Sequence, residues 1–332
     1  MSEITTLGID LAKNVMQVHG VDARGVAVLR RQVRRSQLPR LLAQLPPCTV
    51  AMEACSGAHA WGRRSVQFGH RVQLIAPQFV KPFVKGNKTD RNDAEAICEA
   101  AQRPGMRFVA LKSVEQQQVL TLHRLRTGAV KARTALANRL RGVLAEFGLV
   151  VAAGLGQLRR ALPDVLEDAG NELPALVRAE LAVQAGRLRE LDAEVVRLSR
   201  RIEALAQADE RTRALMQRRG IGPLIASAFA AEIADPRVFK NGRQVAAWLG
   251  LVPRQHSSGG APRLLGISKR GDAYLRTLLI HGARAVVRVA DRHPDPLSQW
   301  ISALKLRRGV HKATVAVANK MARQMWAQLA HA

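Results

Sequence analysis

Between residues 174 and 207 the apolar side chains recur at intervals of seven. Leu181, Leu188, Val195 and Ile202 occupy one heptad position, and Leu191, Leu198 and Leu205 fill the next, with Arg and Glu over most of the rest. A repeat sustained this way does not suit a strand. It specifies a long helix with one narrow seam, as in a coiled coil. The stretch 113–148 has a helical pattern of its own, carried by Leu122, Leu125, Ala129, Ala132, Leu136, Leu140, Val143 and Phe147. Two arrangements answer these patterns equally well: the helices pack on each other as a hairpin, or the second pairs with another subunit. Either way a helical coiled-coil segment over 113–209 separates an expected domain at 1–112 from another at 210–332.

The first of these domains reads as α/β. Residues 4–9, 14–20 and 26–33 have the composition of short strands and are separated by the turn signals DLAK and DARG, which predicts an antiparallel meander. A helix over 36–45 stops at Pro46 and Pro47. Strands at 48–54 and 71–77 flank a helix at 57–69, and a helix over 90–103 opens with acids that suit the positive end of its dipole. Three antiparallel strands followed by alternating helix and strand imply a mixed sheet with helices on it. After 210, Gly and Pro become more frequent and the helices shorten. Residues 218–229 read as helix, Gly-x-Gly turn, helix, and 252–271 as a long structureless loop. Helices at 272–290, 295–307 and 311–330 complete a mainly α C-terminal domain.

Charge narrows the function. The 332 residues carry 52 Lys and Arg against 26 Asp and Glu, a formal net charge of +26. So large an excess repels itself in a compact state, and a polyanionic partner relieves that repulsion. Nucleic acid is the first candidate. Aromatic residues make up only 4% and there is one tyrosine, Tyr274, so stacking platforms for splayed bases are not expected. No apolar run of spanning length and no signal-peptide pattern is visible, so a cytoplasmic protein with no membrane partner is expected. Cys48, Cys55 and Cys98 lack zinc-site spacing and read as reduced thiols.

Four acids stand where chemistry is built. Asp10 ends the first strand in GIDLAK, Glu53 ends the fourth in VAMEA, and Asp90 and Asp93 open a helix in KTDRND. Residues three apart share a helical face, so both aspartates can point at one ion. Hard carboxylate oxygens suit Mg²⁺, which keeps waters for a substrate phosphate, and a pair of ions can clamp both oxygens of a phosphodiester displacement. Each acid alone is equally what a turn or a helix cap would use. Lys88, beside them, is a candidate phosphate contact. In VPRQHSSGGAPRLLGISKRG, Ser257 and Ser258 precede two glycines that let a backbone come close to a phosphate. Arg254, Arg263, Lys269 and Arg270 surround the pair as nucleic-acid contacts. A serine so placed could form a covalent phosphoester that preserves the bond for rejoining, although Ser-Gly runs also serve as linkers. The Gly220–Gly222 turn could offer backbone N–H groups to a DNA phosphate, or simply connect two helices.

Taken together, GIDLAK, VAMEA, KTDRNDA, RRGIGPLIA, AAWLGLVPRQHSSGG and ISKRGDAYLR resemble the DEDD transposases of bacterial insertion sequences, in motif order and over nearly the whole chain. The resemblance implies an RNase H-like (RuvC-like) domain joined to a C-terminal transposase domain. It implies a Mg²⁺-binding tetrad that falls on Asp10, Glu53, Asp90 and Asp93, and a nucleophilic serine for which Ser258, next to Gly259, is the better match. It also implies double-stranded donor and target DNA, a structured bridge RNA as guide, and a homo-oligomer, dimer or tetramer, joined through the coiled coil. Alternatives are a metal-dependent junction endonuclease that does not rejoin, and a basic nucleic-acid-binding protein without catalysis. A tyrosine recombinase using Tyr274, Arg276 and His281 is disfavoured, because positions i and i+2 of a helix do not share a face.

Overall fold

A computed structural model describes residues 3–86, 89–257, 259–261 and 263–331. The chain forms two compact units, Met1–Gln116 with Ile233–Lys240, and Gln117–Glu232 with Asn241–Ala332.

The first unit is built on a mixed sheet. Strands β1 (Thr6–Asp10), β2 (Val15–Val21) and β3 (Ala27–Arg34) form the expected meander. Helix α1 (Leu38–Gln44), strand β4 (Thr49–Glu53), helix α2 (Ala58–Gln67) and strand β5 (Arg71–Ile75) follow. After them come the single turn α3 (Pro77–Val80), helix α4 (Asp90–Ala101) and the two-residue strand β6 (Phe108–Val109). The spatial order is β3-β2-β1-β4-β5-β6, with β1, β4 and β5 mutually parallel and β6 antiparallel at the edge.

Alternation along the strands divides the core between the two faces. Leu7, Ile9, Val50 and Met52 pack with Leu38 and Leu42 of α1 and Ala58 and Trp61 of α2. Ala51 and Ile75 pack with Ala96, Ile97 and Ala100 of α4 on the other side. The central strands therefore read as apolar runs, because both faces are covered.

The second unit is mainly helical. Helix α5 (Val114–Glu146) begins just before it, and helices α6 (Leu155–Glu167) and α7 (Ala175–Ala208) follow. Of the two arrangements the heptads allowed, a hairpin within the chain is the one seen. Arg126 Nε donates to Ser199 Oγ at 2.8 Å, and Arg133 Nη1 to Asp192 Oδ1 at 3.2 Å, which sets α5 and α7 antiparallel. Leu136, Leu140 and Leu144 of α5 share a core with Leu158 and Leu162 of α6 and Leu181 and Leu188 of α7. Helix α6 was not anticipated. Its interior Pro163 argues against a helix, yet apolar residues on either side of the proline pack against both neighbours.

Helices α8 (Glu210–Met216), α9 (Pro223–Glu232) and α10 (Gly242–Trp248) precede strands β7 (Pro253–Gln255) and β8 (Leu264–Ile267). Helices α11 (Ala273–Val289) and α12 (Pro296–Ala330) close the chain, and α12 is broken into two at Gly309, where the backbone is non-helical. The segment 252–271 is thus not a structureless loop. It is a two-stranded antiparallel hairpin in which Pro253 pairs with Ile267 and Gln255 with Leu264. Its strand residues are almost all exposed, so no apolar alternation marks them in the sequence. Among the described residues no helix is long and apolar enough to cross a membrane.

Candidate active site

The carboxylates come together through three local devices. The first is strand register. Strands β1 and β4 run parallel with Ile9 opposite Met52, so Asp10 and Glu53 stand side by side at the strand ends. Alternation puts Asp10 on the face of Gly8 and Glu53 on the face of Ala51, and this is the face that α4 covers.

The second device is a missing side chain. A Cβ at Gly8 would stand 2.5 Å from the carbonyl oxygen of Ala94 and 2.9 Å from Cβ of Cys98. Helix α4 lies directly against the backbone of β1, and no residue larger than glycine fits beneath it.

The third device is the start of α4. Thr89 caps it, its hydroxyl accepting from the N–H of Asn92 at 3.3 Å, and this sets the first turn that carries Asp90 and Asp93. The result is one group in which carboxylate oxygens of Asp10, Asp90 and Asp93 all lie within 4.8 Å of one another. Asp10 and Asp93 are half-buried and Asp90 is exposed. Glu53, also half-buried, is outside that tight group although the register places it beside Asp10. The nearby thiol of Cys55 is pushed above its ordinary pKa by burial, and then by the negative charges of Glu53 and Asp10, which marks the local field as anionic. Hard oxygen donors converging from two segments, with one face open to solvent, fit a divalent cation. Lys88 lies outside the described residues.

The second unit carries the serine hairpin. Ser257 Oγ accepts a hydrogen bond from the N–H of Arg263 at 3.2 Å, and the N–H of His256 donates to the carbonyl of Arg263 at 2.9 Å. Ser258 lies outside the described residues. Arg254, Arg263, Lys269 and Arg270 are all exposed along this hairpin and its foot. The foot is firmly tied. Ser268 N–H donates to the carbonyl of Val252 at 2.8 Å and Lys269 N–H to that of Gly250 at 3.2 Å. Arg276 Nη1 reaches the carbonyls of Leu249 and Arg270, each at 3.0 Å. Lys269 adopts φ 54°, a left-handed conformation unusual for a residue with a side chain, and these bonds hold it there.

The Gly-x-Gly turn divides its two glycines. Gly220 has φ 82°, and a Cβ on it would stand 2.5 Å from Val286 of α11, so this glycine serves packing. A Cβ on Gly222 would meet nothing within 4 Å, which leaves its surroundings open.

One buried constellation escaped the sequence. Ser227 Oγ donates to the carbonyl of Pro223 at 2.6 Å and therefore accepts from His123 Nε2, 3.0 Å away. His123 Nδ1, left without a proton, accepts from the Tyr274 hydroxyl at 2.8 Å. Burial lowers the pKa of His123 to about 4 and raises that of Tyr274, so both are neutral at pH 7. Tyr274 is thus committed to an internal bond. The three residues are 151 and 104 positions apart, and no local pattern links them.

Comparison with known proteins agrees with this layout. Residues 7–148, which span the carboxylate-bearing unit, match the profile of a family described as a transposase of the DEDD IS110 type. Residues 212–297, which span the Gly-x-Gly turn and the serine hairpin, match a second profile, that of the IS116/IS110/IS902 transposases. Similarity extends along the full chain. A Pseudomonas aeruginosa protein named "Probable family 20 transposase" is 53% identical over 98% of this chain and 97% of its own length. The transposase for insertion sequence element IS1111A of Coxiella burnetii is 45% identical over 99% and 90%, and that for IS1328 of Yersinia enterocolitica 40% identical over 98% and 97%. The chain belongs to the IS116/IS110/IS902 family of insertion-sequence transposases.

Proposed function

We propose that this transposase cuts and rejoins DNA strands with an acidic tetrad and a separate serine. Asp10, Asp90, Asp93 and Glu53 would hold Mg²⁺, and Ser258 would be the nucleophile. The single observation that carries the reading is the convergence of Asp10 with Asp90 and Asp93, which come from distant parts of the chain, into one group within 4.8 Å. The order β3-β2-β1-β4-β5, with an acid at the end of β1 and another at the end of β4, supports an RNase H-like assignment for this unit.

When bound, Mg²⁺ supplies Lewis-acid polarisation of a phosphoryl oxygen. The chain's own groups do the rest. The carboxylates of Asp10 and Asp93, half-buried and fixed on a strand and a helix, would hold that cation toward the scissile phosphate. The Ser258 hydroxyl forms a bond to phosphorus as the bond to one strand oxygen breaks, and its proton passes to that departing oxygen. The reverse attack by a strand hydroxyl restores serine and rejoins DNA without an outside energy source. Ser257 is already engaged in bracing the hairpin, which favours its neighbour as nucleophile. A bridge RNA that pairs with donor and target DNA accords with the charge of +26 and the single tyrosine, because base pairing would then read the sequence. In an oligomer, the serine of one copy would work with the tetrad of another.

The test compares variants on a DNA substrate supplied with the RNA encoded beside the gene. Asp93→Asn should lose strand cleavage, and Ser258→Ala should lose both rejoining and the protein–DNA adduct. An adduct that still forms with Ser258→Ala refutes the assignment of the nucleophile. Cleavage that survives in both Asp10→Asn and Asp93→Asn refutes the role of the tetrad.

A further inference from the structure

An open groove of about 720 Å³ lies in the first unit, apart from the carboxylates. Lys13, Asn14, Arg34, Arg35, Trp61 and Arg64 are the polar and aromatic part of its wall. Its position follows from the sheet. Lys13 and Asn14 sit on the β1–β2 turn just after Asp10, and Val15 pairs with Arg34, so Arg34 and Arg35 leave β3 at the same end of the sheet. Trp61 and Arg64 come from α2, which follows the Glu53 end of β4. The groove therefore shares the carboxylate end of the sheet but lies toward the α2 side.

Its electrostatics are unbalanced. The guanidinium of Arg35 lies 5.3 Å from the centroid of the Trp61 ring, and that of Arg64 lies 5.6 Å from it. Arg35 Nη1 also donates to the carbonyl of Ala12 at 3.3 Å. Two cations thus converge on one indole. No carboxylate lines the groove, and among the described residues none of its four cations is ion-paired. The wall therefore presents cationic donors with no carboxylate to meet them. Cation–π contact offsets part of the repulsion, and an anion would offset the rest. Arg is suited to phosphate because its fork is planar and held in place when stacked.

We propose that this groove is a binding track for the phosphate backbone of a DNA strand, and that it holds the strand across the end of the sheet. The inference rests on the DNA strand-transfer reading for the identity of the ligand, while the groove itself is argued from charge and geometry alone.

The test measures binding of a fluorescein-labelled single-stranded DNA, a duplex of the same sequence and the matching RNA by anisotropy across salt concentrations. The protein is Arg35→Gln/Arg64→Gln in the full chain. DNA affinity should fall about tenfold or more at fixed salt, and the slope of log K against log salt should become shallower by about 1 to 2. The control is Arg187→Gln/Arg189→Gln on exposed positions of α7, which removes the same charge from the other unit. Equal losses in both variants would reduce the effect to bulk charge and overturn the proposal. So would unchanged DNA binding, or a loss confined to RNA. Asp10→Asn and Asp93→Asn separate this inference from the reading beneath it, since they should abolish cleavage while the salt slope stays as in the parent protein.

Discussion

Substituting Gly8 by alanine isolates the contact on which the carboxylate geometry turns. Gly8 has an ordinary strand conformation, so alanine brings no backbone strain and the effect is purely steric. The added Cβ would lie 2.5 Å from the Ala94 carbonyl, about 0.9 Å short of the 3.4 Å at which ordinary contact begins. That carbonyl belongs to a helix backbone and cannot swing aside, so α4 must lift as a body. Overpacking of this kind costs about 1–3 kcal/mol. The same lift carries Asp90 and Asp93 about 1 Å from Asp10, and misplacements of that size cost about a hundredfold in function. The assay pairs thermal unfolding with Mn²⁺ titration. Gly8→Ala should melt several degrees lower and bind the cation at least tenfold more weakly. Gly20→Ala on β2 is the internal control, because its Cβ would meet side-chain atoms of Ile4 and Leu29 at 3.1 Å and no helix backbone. A Gly8→Ala protein with parental melting and parental cation affinity would refute the claim that this close approach sets the site.

Two further outcomes follow from the second unit. The folded state keeps His123 neutral down to about pH 4, whereas the unfolded chain takes up its proton near pH 6.5. Between those values the unfolded state binds more protons, so stability falls as pH drops, by roughly 3 kcal/mol in all. Urea unfolding of His123→Gln across this range should show a flatter profile, and an unchanged slope would rule out His123 as its source. Tyr274→Phe removes the donor to His123 Nδ1 and should cost about 1–3 kcal/mol in denaturant unfolding, while strand cleavage by the surviving folded protein should persist. Loss of the covalent adduct in Tyr274→Phe with Ser258 intact would reverse the choice of nucleophile.

The sheet was legible because its strands are apolar runs closed by turn signals, and because acids fall where β1 and β4 end. The pairing of Asp90 with Asp93 was legible from helical spacing. What made them one site was not: Gly8 in GIDLAK looks like any strand glycine until α4 is laid across it. The β7–β8 hairpin was hidden because exposed strands need no apolar alternation, and α6 because Pro163 argues locally against the packing that holds it. The heptads marked α7 clearly yet were silent on its partner, since a seam looks the same whether the facing helix belongs to the same chain or another. Arg35 and Arg64 carried no signal at all, for they are two of many arginines until Trp61 brings them together.

Three aspartate carboxylates held within 4.8 Å are also a burden on the fold that holds them. Like charges this close repel one another unless a cation meets them. In chelator, Asp93→Asn should therefore raise the melting temperature of this unit. A divalent ion bound there would reverse the balance, adding about 1.4 kcal/mol of stability for each tenfold excess over its dissociation constant. Because these carboxylates come together only in the native chain, a cation held by them would tie the stability of the fold to the free cation concentration.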